Sequence, residues 1–486
     1  MDKTNSISSF WNQDFFLKIF GFIIIGSLFL GVFTEMYFLA GIPAFVLLMF
    51  ISIVDFKKIF YLLFLCIPFS VEIELPGGFA TDLPSEPLMV GLMLLYLLFV
   101  LRSIKSFDTS FFLHPLSLFL ILHFSWICAT TIFSENFIVS LKFSLAKFWY
   151  IIVFFFMAGS FLKTEEDTKR LLWIVLLPLT FTVVYSIINH ATYAFDFDKI
   201  NAAVQPFYRN HVNYAAILTL FLPFVWYLKK SYQRYSMIWW GLILVIIILL
   251  VGTWLSYTRA AYVGVLATIF ASFVIRLRLI KYAIGLAIIG VAVVALHFSI
   301  NNTYLEYAPD YEKTVAHKDF DSLISATAKG EDASTMERFY RWIAGAYMVK
   351  EKPLMGFGPG NFYNYYHNYT VRNFETYVSV NEEKSGIHSY YLMTSVEQGV
   401  IGLLFFLLLN FYFLIKGEVV YHQTDDLFRK RILMAALLAV IAIDCLLIIN
   451  DLIETDKIGS FFFVCLAILI NTDLYNKNKL QKGLPG

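Results

Sequence analysis

His388 and Ser389 are followed, after nine residues, by Gly399-Val-Ile-Gly402, and this pattern spans the junction between a long polar stretch and an apolar run. An imidazole held at a membrane surface can take a proton from a sugar hydroxyl as a general base. Upstream, Arg209 and Arg259 each stand at the edge of an apolar run. A guanidinium is a planar, permanently charged fork that matches phosphate oxygens bidentately. A base for a hydroxyl and cations for a phosphate are what glycosyl transfer from a phosphate-linked donor requires. When the bond between anomeric carbon and phosphate breaks, negative charge would grow on the leaving phosphate, and the arginines are placed to meet it. His388 must be neutral to act, and neighbouring guanidinium groups would hold its pKa below the usual value of about 6.5.

Each of these residues also has a plainer reading. A lone histidine at this place caps a helix or sits at the interface, and an arginine at a span edge snorkels. His211 and Asn213 could simply satisfy a span terminus, and Arg338 and Arg341 lie on a solvated helix where at most one is expected to face the site. Lys147 could assist a diphosphate or snorkel. Asp444 is an ionisable residue inside a span, a functional candidate by its position, though it also fits a packing hydrogen bond.

The elements that must hold these groups are membrane helices. The chain has 486 residues, 59% hydrophobic and only 15% charged, with a mean hydropathy of +0.69, far from the roughly 25% charge of soluble domains. Its apolar runs are continuous rather than alternating, and in lipid only helices or closed barrels satisfy the backbone. The fold class is therefore all-α, a polytopic bundle of about 12–14 spans with one long, partly helical outer loop. Spans are expected from near 15–33 to near 458–471, with a short third one at 59–69 and a crowded pair, 236–255 and 260–275, either side of Arg259. The organisation divides into N-terminal spans over 1–298, the outer loop over 299–390, and C-terminal spans over 391–486.

Short-loop cations occupy every second connection: Lys57-Lys58, Arg102 with Lys105, Lys163 to Arg170, Lys229-Lys230, Arg276 to Lys281, Arg429 to Arg431. Lys and Arg are retained in the cytoplasm, so both termini are expected there and the 299–390 loop on the periplasmic or outer side. The alternate connections carry Glu72, Glu74, Asp82 and Glu86, or Asp451 and Glu454. Within the loop, Ser334-Thr-Met-Glu337 is a capping box for a helix through Arg338, Tyr340, Arg341, Trp342 and Met348, ending near Lys352-Pro353. Gly356-Phe-Gly-Pro-Gly360 reads as a turn, and a second helix is expected from about Gly386 through His388 into the span at Val396. The first apolar run is too long for a cleaved leader and is expected to stay as a span. Four cysteines, all in apolar runs, give neither a disulfide framework nor metal-ligand spacing. A net charge of +1 without a basic stripe gives no nucleic-acid footprint.

Together these residues resemble the bacterial O-antigen ligase and polymerase family over roughly residues 205–415. Four pieces carry the likeness: Arg209-Asn-His211-Val-Asn213-Tyr-Ala215; Ser256-Tyr-Thr-Arg259-Ala-Ala-Tyr-Val263-Gly264; Arg338 with Arg341-Trp342 and Pro353-Leu-Met-Gly-Phe-Gly-Pro-Gly-Asn-Phe362; and His388-Ser389 with Gly399 and Gly402. Val263 stands where the ligases often have leucine. The resemblance implies an inner-membrane enzyme that takes a glycan from an undecaprenyl-diphosphate carrier with no metal or other cofactor, and a single attack opposite the departing diphosphate would invert the anomeric centre. It implies His388 as catalytic base, Arg209 and Arg259 as diphosphate ligands, and Arg341, Arg338, His211 and Asn213 as further substrate contacts. The acceptor would be lipid A core in a ligase, or a second lipid-linked glycan in a repeat-unit polymerase. A lipid-glycan flippase or transporter is the competing class. Such proteins place their charges near the bilayer midplane, whereas these sit at the outer surface.

Overall fold

The structure, a computed structural model, describes residues 13–34, 42–75, 79–102, 109–300, 304–305, 333–375, 379, 381 and 385–481. The expected outer-loop stretch 306–332 lies outside them. Residues 1–63 form one compact unit and 64–486 the other. The first holds α1 (Gln13–Phe33) and most of α2 (Ile42–Cys66), which breaks its helical geometry at Asp55. The described parts of the expected spans 37–54 and 59–69, residues 42–54 and 59–66, are thus the two arms of one interrupted helix.

A small hairpin opens the second unit. Strands β1 (Val71–Leu75) and β2 (Phe79–Leu83) pair antiparallel, with Val71 opposite Leu83 and Glu72 opposite Asp82. Then come α3 (Ser85–Arg102), α4 (Pro115–Ile132) and α5 (Phe137–Tyr150), which runs on through a π-helical turn to Phe161. The series continues with α6 (Glu165–Thr192), α7 (His211–Lys229), α8 (Met237–Leu255), α9 (Arg259–Arg276) and α10 (Ile280–Ser299). After the outer loop, whose main helix is α11 (Ala333–Glu351), follow α12 (Tyr390–Gln423), α13 (Leu427–Leu447) and α14 (Asp456–Gln481). Among the described residues ten helices are long and apolar enough to cross a membrane: α3 to α10, α12 and α14. The other expected spans are α1, α2 and α13, whose first turns carry Arg429, Lys430 and Arg431. The fold is an all-α polytopic bundle, to which one short hairpin is added among the described residues. α14 and α7 bury 83% and 72% of their apolar stretches and α10 only 6%. The first two are therefore the interior, and α10 turns its side chains outward as lipid contact requires.

Two local features set the position of His388. The first is the core of the outer loop. Tyr340, Ala344 and Met348 recur every fourth residue on α11 and pack with Phe357, Phe362, Tyr366, Phe374, Ile387 and Val396. Residues one step on, Glu337 and Arg341, consequently lie beside this apolar face, and both are buried. The second is the break in α12 at Gly399, which has φ 71° and ψ 176°. A broken helix leaves carbonyls without partners, and the segment 353–362 supplies them. Phe357 N donates to Val396 O at 2.9 Å, Gly358 N to Glu397 O at 2.9 Å, and Val400 N to Pro353 O at 2.8 Å. Trp126 of α4 donates its indole N–H to Gln398 O at 2.8 Å. The buried Glu397 side chain accepts Gly360 N at 2.8 Å and Phe362 N at 3.1 Å. A Cβ at Gly399 would lie 1.9 Å from Leu354 O, so glycine is required both by its positive-φ extended backbone and by the strand of loop pressed against it.

Candidate active site

His388 lies just outside α12 rather than within a helix. Its φ is 55°, Ser389 is extended, and the helix begins at Tyr390. The helix expected to run from Gly386 does not form, because the backbone here is tied to the connection between α13 and α14. His388 N donates to Asp451 Oδ2 at 3.2 Å, Ser389 N donates to the same carboxyl, and Tyr390 N donates to Asn450 O at 3.2 Å. A left-handed non-glycine residue costs about 1–3 kcal/mol and persists where its surroundings dictate it. Here Asp451 does so, and a Cβ at the neighbouring Gly386 would meet Asp451 Oδ2 at 2.3 Å.

From the other side α11 reaches the same segment. Arg341 donates to Gly386 O at 3.2 Å and pairs with Glu337 at 3.3 Å. Glu337 also accepts from Ser379 at 2.6 Å. His388 is half-buried, and burial together with the Arg338 and Arg341 guanidinium groups pulls its pKa down to about 3. The imidazole is therefore neutral across the physiological range. Both arginines of α11 act on it, where one was expected. They occupy the part that Arg209 and Arg259 were expected to play toward the base. Asp451 is pushed the other way, up to about 6, by burial, although the two N–H donors and Arg341 favour its charged form. Its second oxygen, Oδ1, is buried with no hydrogen-bond partner among the described residues.

Arg338 also acts on His211, which links this cluster to the start of α7. There Asn210 caps the helix, its Oδ1 accepting Val212 N at 3.1 Å and Asn213 N at 2.9 Å. Asn201 Oδ1 takes His211 N at 3.0 Å and His211 Nδ1 at 2.8 Å. With Nδ1 as that donor, Nε2 is left as an acceptor. Thr258 Oγ1 donates to His211 O at 3.3 Å, which brings Arg259, the half-buried first residue of α9, beside the same helix end. Arg209 stands apart: it is 64% exposed, with Nε 3.8 Å from Glu72. It lines, with Asn213, a cavity of about 610 Å³ bounded by the hairpin, the start of α3 and residues 454–457.

Lys147 is no free cation. It is buried and pairs with Glu454 at 2.6 Å, and Glu454 also accepts from Tyr390 OH at 2.9 Å. Tyr391 OH contacts Asp444 O at 3.3 Å, which ties Asp444 to helix packing. Three residues outside the expected site belong to the cluster: Asp451, Glu337 and Glu454. The signal for Asp451 and Glu454 was a short outer connection with acids and few cations.

The arrangement offers a neutral imidazole, a permanent positive charge beside it and a carboxyl that titrates near neutrality, all at the mouth of a helix bundle. Such a set can deprotonate a hydroxyl and stabilise an anionic leaving group. Residues 244–407 match the protein family described as O-Antigen ligase. The matched segment holds Arg259, Arg338, Arg341 and His388. Among curated proteins none matches the chain.

Proposed function

We propose that this membrane chain, which carries an O-antigen ligase family segment over residues 244–407, moves a glycan from an undecaprenyl-diphosphate carrier to an acceptor hydroxyl at the periplasmic face of the inner membrane. His388 is the general base toward that hydroxyl. Arg338 and Arg341 keep it neutral, and Arg259 with Arg209 meets the diphosphate of the donor. His211 and Asn213 contact substrate at the start of α7. Attack opposite the leaving diphosphate inverts the anomeric carbon, and the reaction needs no metal. The observation that carries this reading is the pairing of a histidine held neutral beside two guanidinium groups with a backbone fixed by Asp451.

The acceptor in this reading is lipid A core, which makes the enzyme a ligase. The test is transfer in proteoliposomes that contain undecaprenyl-diphosphate-linked glycan and lipid A core. Glycan on lipid A core supports the ligase. Lengthened glycan on the undecaprenyl carrier turns the assignment to a repeat-unit polymerase. Movement of the donor between leaflets without transfer replaces both with a flippase.

A further inference from the structure

The cavity of about 610 Å³ is unlike the His388 cluster in charge. Glu72, Asp82 and Glu86 form one wall and Asp456 part of another, against Arg209 and Lys457. The hairpin register sets Glu72 directly opposite Asp82, and like charges at opposed strand positions are destabilising. Burial first, and then the nearby Asp456, raise Asp82 to about 7, so that near neutrality it both donates and accepts hydrogen bonds. Half-buried Phe207 adds an aromatic surface.

The volume falls in the roughly 300–1,000 Å³ range of small-molecule sites. The carboxylates outnumber Arg209 and Lys457 in this lining, so a diphosphate is accommodated only beside those cations, and a hydrocarbon tail finds charges on every side. A neutral polyol fits: carboxylates and the Asn213 amide take and give hydroxyl hydrogen bonds, and the ring of Phe207 accepts a sugar face. The residues 451–457 tie the cavity to the base, since Asp451 holds the His388 backbone while Glu454 to Lys457 line the cavity.

We propose that this cavity seats the sugar end of the glycan that reacts at His388, and that its carboxylates select uncharged sugars over acidic ones. The inference rests on the glycan-transfer reading above and adds a specificity to it. Arg209 thus belongs to both sites, and the two halves of the donor are sorted with the diphosphate toward Arg209 and Arg259 and the sugar toward the carboxylates beyond Arg209.

The test uses the full chain in nanodiscs, titrated by calorimetry with the neutral trimer of N-acetylglucosamine and the acidic trimer of galacturonate. The neutral trimer is expected to bind saturably and about tenfold tighter than the acidic one at low salt. In Asp82→Asn/Glu86→Gln the gap narrows to about threefold or less, through tighter binding of the acidic trimer. Glu72→Gln, at a partly exposed position, gives the same trend if the double variant does not fold. Equal affinities, no saturable binding of either trimer, or a gap that survives neutralisation overturns the inference. Transfer activity of the same nanodiscs separates the two levels. Transfer without charge preference refutes this cavity's role alone, and absence of transfer refutes the function it rests on.

Discussion

Acid should leave the His388 base intact far below the pH at which an ordinary histidine is lost. With a pKa of about 3, His388 is about 99% neutral at pH 5, whereas an unperturbed histidine near 6.5 is roughly 3% neutral there and about 90% at pH 7.5. The ordinary case loses about thirtyfold of its active base between those two pH values, and His388 loses almost none. The assay is hydrogen–deuterium exchange at the imidazole Cε1 of His388, read by peptide mass spectrometry across pH 4 to 8, because that exchange follows the histidine's own ionisation. No midpoint should appear in the range. Turnover measured in parallel has an acid limb near 6 that belongs to Asp451 and disappears in Asp451→Asn. A Cε1 midpoint near 6.5 in the wild type would refute the reasoning, since it would mean that burial, Arg338 and Arg341 do not act on the imidazole as the geometry requires. The sign also carries to stability. Between pH 6.5 and 3 the folded state holds fewer protons at His388 than the unfolded chain, so each unit of acidification costs up to about 1.4 kcal/mol. Asp451, with its raised pKa, opposes this between about 6 and 3.8, where folding takes up a proton.

Gly399→Ala combines a positive-φ extended backbone that is nearly glycine-only, about 1–3 kcal/mol, with a Cβ 1.9 Å from Leu354 O. It should lower the thermal midpoint in detergent by several degrees or prevent accumulation, whereas Gly91→Ala, with open space at its Cβ, should be neutral or slightly stabilising. An unchanged midpoint in Gly399→Ala would contradict the described fit. Arg341→Ala removes the guanidinium 3.3 Å from the buried Glu337 carboxylate and should cost up to about 3–5 kcal/mol, read by chemical or thermal unfolding. Arg341→Met/Glu337→Leu should recover most of that stability without recovering transfer, and recovery of both would make the pair purely structural. Glu397→Ala strands Gly360 N and Phe362 N at about 1–3 kcal/mol each. Faster amide exchange at those two residues is the check.

The helices were legible because continuous apolar runs leave the backbone no other arrangement in lipid. Helix α11 was legible as well: its apolar residues fall on one face, and that same spacing sets Glu337 and Arg341 at the face's edge. What sequence spacing could not give was which cations meet His388. Arg209 and Arg259 drew notice because each stands at the edge of an apolar run. Arg341 looked solvated because the Gly386 carbonyl it meets lies far along the outer loop, and Arg338 because the histidines it acts on, His211 and His388, are distant in the chain. The break at Gly399 was visible only as a signature glycine, since the atoms that require it, Leu354 O and Phe357 N, are about 40 residues away in the chain. Asp451 lies 63 positions beyond His388, and nothing local ties the two. The hairpin, by contrast, could have been read. Val71-Glu-Ile-Glu-Leu75 alternates, and Pro76-Gly77-Gly78 is a turn signal, but the strength of the helical pattern around it hid both.

The central claim is that His388 removes the acceptor proton, and the most direct measurement is single-turnover transfer from undecaprenyl-diphosphate-linked glycan by wild type and His388→Gln in proteoliposomes, with donor binding measured on the same samples. The account predicts a rate about 100- to 10,000-fold lower in the variant with donor affinity and thermal midpoint unchanged. Transfer within a few-fold of wild type by a folded, donor-binding His388→Gln protein would contradict it.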